Sequence, residues 1–165
     1  MTDDVLSIDE TRELRKLLEL EKIRKKRLLF SQLMDSGDLD GLVALYAEDA
    51  TGDWAHAGTW SGRDAILGKI AVLAGKPTYN WLHMTTNLWI ELTTSTVALS
   101  RCYFHNLNTE FNPRMSPTVW LGIYEEDWVK IDGDWKIKHQ RIHYLWPKRE
   151  VSEDFPRKMQ TSGGG

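Results

Sequence analysis

The hydrophobic pattern of this chain changes period once, and that change limits what it can fold into. Between residue 9 and about residue 35, Leu14, Leu17, Leu18, Ile23, Leu28, Leu29 and Leu33 recur near helical spacing, with Lys, Arg and Glu between them. From about residue 80 the pattern alternates every second residue and is rich in β-branched and aromatic side chains. Helices first, followed by a meander of long strands, predict an α+β architecture. Ser36-Gly37 stops the first helix, because glycine accepts the left-handed conformation at a helix end. Asp38 caps a short second helix, DLDGLVALYA, with Leu42, Leu45 and Tyr46 facing inward. Asp49-Ala50 leads into a strand, TGDWAHAG, and residues 58–62 read as a turn and a short strand. A third helix runs from Arg63 to about Ala74, closed by Gly75 and Pro77. Strands are predicted at about 80–92, 96–108, 117–131 and 134–146. Their connections are Thr93-Thr94-Ser95, a segment containing Asn112-Pro113, and Asp132-Gly133, the clearest hairpin signal in the chain. Residues 1–150 form one predicted domain. Residues 151–165 are a polar tail ending in SGGG, expected to be largely mobile, with Phe155 able to dock.

A chain of 165 residues suits one domain with room for one small-molecule cavity. A net charge of −3 and a pI near 6.0 give no electrostatic footprint for nucleic acid. The single cysteine, Cys102, excludes a disulfide within the chain, reads as buried and fits a reducing compartment. No apolar run approaches the roughly 20 residues of a membrane span, and the acidic start MTDDVLSIDETRE is unlike a signal peptide, so a cytoplasmic location is expected. The eight tryptophans, Trp54, Trp60, Trp81, Trp89, Trp120, Trp128, Trp135 and Trp146, all follow the first two helices. Most are expected in the core and a few around a cavity.

Asp35 stands at the end of the first helix, where a carboxylate meets the negative end of the helix dipole and therefore needs a partner. His83 lies near the start of a strand among aromatic and apolar residues. His105 lies in the next strand and shares a face with Tyr103. Each residue alone reads as structural. If the two strands pair, both histidines are expected to reach one cavity, where an Asp–His pair is a credible general base. The five histidines show no metal-binding spacing: His139 and His143 would sit ~13 Å apart along a strand, so no metal is expected. No phosphate loop and no nucleophile elbow is present.

The helix pair LLFSQLMDSGDLDGLVALYAEDA, the segment GTWSGRDAI, the strand HMTTNLWIEL and the hairpin around Asp132-Gly133 together resemble the SnoaL-like branch of the nuclear-transport-factor-2-like superfamily over about residues 15–147. Within it, the resemblance is to the scytalone dehydratase, bile-acid dehydratase and hexachlorocyclohexane dehydrochlorinase families. It implies a curved antiparallel or mixed sheet wrapped by the N-terminal helices into a cone, an α+β barrel enclosing an apolar cavity. It places the dyad at Asp35 and His83, a second histidine at His105, and cavity positions at Trp54, Tyr124 and Tyr144. Phe30 stands where bile-acid dehydratases carry a functional tyrosine and the dehydrochlorinase a lysine. Gln140 stands where the dehydrochlorinase carries an arginine, so its halide-stabilising set is not reproduced. The reading implied is a cofactor-independent lyase, a dehydratase acting on a bulky hydrophobic cyclic substrate. His105, Tyr124 or Tyr144 would be its acid, and Phe30, Met34, Trp54, Trp60, Tyr103, Trp120 and Trp146 would shape the cavity. An isomerase or cyclase using the same dyad, a non-catalytic binding protein, and a subunit whose sheet mainly serves oligomerisation are the alternatives. No nucleic-acid or membrane partner is expected, and the resemblance implies a homotrimer.

Overall fold

The computed structural model describes residues 6–75, 80–108 and 118–156. Helix α1, Ile8–Ser36, opens on a capping box in which Ser7 and Glu10 satisfy each other's backbone N–H groups, and it stops at Gly37, whose φ of 66° is left-handed. Asp38 caps α2, Leu39–Leu45, by accepting from the Gly41 N–H. Tyr46 then opens β1, Tyr46–Asp53, earlier than the sequence pattern suggests. The segment expected to continue this strand instead forms a single 3-10 turn, Ala55–Ala57. The short strand β2, Thr59–Ser61, and helix α3, Arg63–Ala74, follow. Four long strands complete the fold: β3, Trp81–Leu92; β4, Val97–Asn108; β5, Thr118–Ile131; and β6, Asp134–Trp146. Pro77, Asn112 and Pro113 lie outside the described residues, as do residues 157–165 of the tail.

The six strands form one mixed sheet in the order β2-β1-β6-β5-β4-β3. Among the described residues only the β1–β6 pair is parallel. The sheet curves around the helices and is not closed into a barrel, since β2 and β3 remain its edges. Asp132 and Gly133, both with positive φ, make the two-residue turn predicted for the β5–β6 hairpin. Among the described residues no helix is long and apolar enough to cross a membrane.

The core lies between α1, α2, α3 and the concave face, with Trp128 and Trp135 fully buried in it. The face that α1 buries is Ile23, Arg27, Phe30, Ser31 and Leu33, so most of its leucines point outward. Arg27 is the reason a helix can bury a mixed face. Its guanidinium lies 4.4 Å from the Tyr124 ring centroid and 4.8 Å from that of Phe30. Its Nε is 3.2 Å from Glu126 Oε1. Glu126 also accepts from Ser100 and Gln140, and Gln140 accepts from Tyr46. A buried charge needs pairing; Arg27 is paired through Nε, while its two terminal nitrogens have no hydrogen-bond partner among the described residues and the guanidinium rests on the two rings. On the convex face the beginning of the tail is docked: the Phe155 ring sits 4.5 Å from that of His143, and the Ser152 N–H donates to His143 Nδ1.

Glu19 ties α1 to the β5–β6 hairpin, accepting from Lys130 and Trp135 at 2.7 Å each. Hydrogen bonds from Lys130 and Lys22 hold its carboxyl down at about 2, against an ordinary 4.5. A depressed carboxylate contributes stability that is full above its unfolded value and is lost as pH falls through the folded one. Glu19→Gln should therefore lower the melting temperature at neutral pH. The gap to the parent protein should close as pH falls from 4.5 to 2, which thermal unfolding across that range measures.

Candidate active site

The last turn of α1 brings Asp35 against the first residues of β3. The His83 N–H donates to both Asp35 oxygens, at 2.9 and 3.1 Å, and His83 Nδ1 lies 2.6 Å from Oδ1. A carboxylate accepts, so Nδ1 carries the hydrogen and Nε2 is left as the free nitrogen. The His83 ring is buried and stacks on Trp81 at 5.6 Å. This answers the problem posed by a carboxylate at a helix C-terminus: three donor contacts offset the unfavourable dipole.

His83 opens onto a cavity of about 310 Å³ whose walls include Phe30, Met34, Trp54, Trp81, Trp120 and Tyr144. Its volume is at the small end of the ~300–1,000 Å³ typical of ligand pockets. Cross-strand register sets His83, Asn106 and Trp120 in a row over β3, β4 and β5. Asn106 is buried and donates to the Tyr124 hydroxyl at 3.3 Å, while its Oδ1 has no protein partner among the described residues. Burial pushes the Tyr124 phenol up to about 12 and raises that of Tyr144 as well. Both therefore stay protonated at neutral pH and act as hydrogen-bond donors. Gln140 also reaches the cavity wall, with both ends of its amide engaged by Tyr46 and Glu126.

Four expected site residues lie elsewhere. His105 and Tyr103 are exposed on the opposite face of β4, and Trp146, 56 % exposed, lies beyond the cavity at the end of β6. Trp60 packs edge-on against Trp54, at 5.7 Å and 74°, and supports it from outside the wall. The cause of the His105 error is one residue. Near the turn β3 and β4 pair as Leu92↔Ala98 through Trp89↔Arg101, but before it as Thr86↔Tyr103 through Trp81↔Asn108. Asn87 and Leu88 thus oppose Cys102 alone, a β-bulge that reverses which side chains of β3 face inward. In the register set by the turn, His83 would share a face with His105. After the bulge it pairs with Asn106 and turns to Asp35. Asn106, Trp81, His56 and Lys69 are among the cavity residues that the sequence pattern does not single out. Correct parity would have found Asn106.

The SnoaL-like domain model matches residues 15–141. The chain belongs to the SnoaL-like family. Its fold is shared with a candidate scytalone dehydratase from Novosphingobium aromaticivorans, at 23% identity and TM-score 0.73, covering 83% of this chain and 93% of that one. Hexachlorocyclohexane dehydrochlorinase from Novosphingobium barchaimii aligns at 16% identity and TM-score 0.70, covering 85% and 99%. A nuclear-transport-factor-2-like protein with a cystatin-like fold from Novosphingobium aromaticivorans aligns at 20% and 0.67, covering 90% and 94%. At these identities the likeness is one of fold. No curated protein sequence matches the chain. Among the described residues no three His, Cys, Asp or Glu side chains gather as metal ligands would.

The bulge depends on Asn87, whose φ of 52° is left-handed. Asparagine tolerates that region and β-branched residues do not. Asn87→Val should cost ~1–2 kcal/mol, while Asn87→Gly should keep the parent stability, as denaturant unfolding will measure.

Proposed function

We propose that this SnoaL-like chain is a cofactor-independent dehydratase, acting on a hydrophobic cyclic substrate by general base catalysis. The observation that carries the reading is His83, clamped at Nδ1 by Asp35 and lining an apolar cavity. The carboxylate orients the ring, selects the tautomer with hydrogen on Nδ1 and stabilises the imidazolium formed when Nε2 takes a proton. Two of the structures that share the fold are named for eliminations, a dehydration and a dehydrochlorination. The substrate class follows from the walls. Phe30, Met34, Trp54 and Trp120 offer rings and a thioether but few polar contacts, which suits a fused-ring compound with one activating carbonyl. Donors at Tyr144, Tyr124 and Asn106 would hold the enolate oxygen as charge develops.

The reading extends to assembly. Trp89, Tyr103, Leu121 and Trp146 are exposed and suit contact with further copies, in keeping with the trimer that the resemblance implies.

His83→Ala and Asp35→Asn should each slow loss of water from a bicyclic β-hydroxy ketone such as 3-hydroxy-1-tetralone. The expected loss is about 10²–10⁴-fold for the histidine, the usual contribution of a general base, in variants whose circular dichroism shows that they remain folded. Appearance of 1-naphthol reports the reaction. A product of unchanged mass would instead assign an isomerase, and full activity in the His83 variant would remove the dyad from the mechanism.

A further inference from the structure

Elimination of water needs an acid as well as a base, because hydroxide is a poor leaving group. His105 faces away from the cavity, burial makes the phenols of Tyr124 and Tyr144 weaker acids than a free phenol, and the Lys69 ammonium at the cavity edge lies over the Trp60 ring. A second histidine does reach the cavity. His56 sits in the 3-10 turn after β1 and lines the same cavity as His83. Its Nδ1 lies 2.6 Å from Glu150 Oε2, and its backbone N–H donates to the same oxygen at 3.3 Å. This repeats the clamp on His83, where one Asp35 oxygen receives both the ring and the backbone of the histidine. In each case Nε2 is the nitrogen left for other work.

The placement is built from several elements. Ala55 and Gly58, with φ of 49° and 101°, shape the turn that presents His56. The imidazole stacks on Trp120 at 5.5 Å and meets Tyr144 at 4.6 Å, which fixes its plane against the cavity wall. Glu150 is held by a two-way backbone bridge to Tyr144, and its second oxygen takes Lys148 at 2.7 Å. The other side of His56 borders a polar cleft shared with Asp53, Arg141 and His143. The side chain is 44% exposed, so it exchanges protons with water while touching the cavity.

Resting on the dehydratase reading, we infer that His56, positioned by Glu150, is the general acid that protonates the leaving hydroxyl. In the step, His83 Nε2 takes the proton next to the carbonyl and the C–H electrons form the enolate. The enolate then forms the carbon–carbon double bond as the C–O bond breaks, and the departing oxygen takes the proton from His56 Nε2. Substrate becomes alkene and water. His83 returns its proton to solvent and His56 recovers one through the cleft.

Two probes separate acid from base. Loss of water from 3-hydroxy-1-tetralone uses both groups, whereas exchange of the α-protons of 1-tetralone in D₂O uses only the base. His56→Gln should slow the first about 10²-fold or more and the second far less. Glu150→Gln should show the same split to a smaller degree. His83→Gln should abolish both reactions. If His56→Gln loses neither reaction, or both equally, His56 is not the acid and the base assignment stands alone. If the parent protein exchanges protons but releases no water, or does neither, the dehydratase reading falls and the acid assignment with it.

Discussion

The Asp35–His83 contact is where the two halves of this protein meet. It joins the C-terminal turn of α1 to the edge strand β3, the strand farthest from β1 in the sheet. A carboxylate there, at the negative end of a helix and mostly shielded from water, is unfavourable unless donors surround it. The backbone and ring of one histidine supply all three donor contacts. The same bonds that make the acid tolerable also fix the imidazole tautomer and its direction. Structural need and chemical readiness are therefore satisfied by one arrangement.

Beneath this contact, the cavity rests on a second, deeper polar assembly. Arg27, Glu126, Ser100, Gln140 and Tyr46 form a buried network, and the Phe30 and Tyr124 rings lie on the Arg27 guanidinium. Such a network has few alternative geometries, because breaking any of its bonds costs the desolvation of a further polar group beside the two terminal Arg27 nitrogens, which have no hydrogen-bond partner among the described residues. It holds Phe30 and Tyr124 in the cavity wall without placing a free charge there. It also explains why Gln140 contributes a satisfied amide: its two ends are committed to Tyr46 and Glu126.

Much of the fold was legible because it depends on local rules. The Gly37 stop, the Asp38 cap, the Asp132-Gly133 hairpin and the limits of the four long strands follow from conformational preferences of a few adjacent residues. The pattern misled where distant partners decide. The leucines of α1 follow the helical period but lie mostly outside, because the buried face is defined by Arg27 and its partners on β4 and β5. The stretch after Asp53 resembles a strand and folds as a turn, since Trp54 packs against Trp60 and hydrogen-bonds back to Gly58.

The candidate site divides in the same way. Asp35 and His83 each read as structural when taken alone, and the family resemblance is what joined them into a pair. The sequence by itself determined most of the element types, their order and the chemistry available. The tertiary structure decided which face each residue occupies. A single extra residue at Asn87 and Leu88 turns His83 inward, leaves His105 outside and sets Asn106 in its place. The return of the chain after β6 carries Glu150 to His56, 94 residues away in sequence. Side-chain direction along a strand has a period of two residues, so one bulge inverts it. Contacts between distant segments come from the closed packing of the whole domain, which no local window of sequence contains.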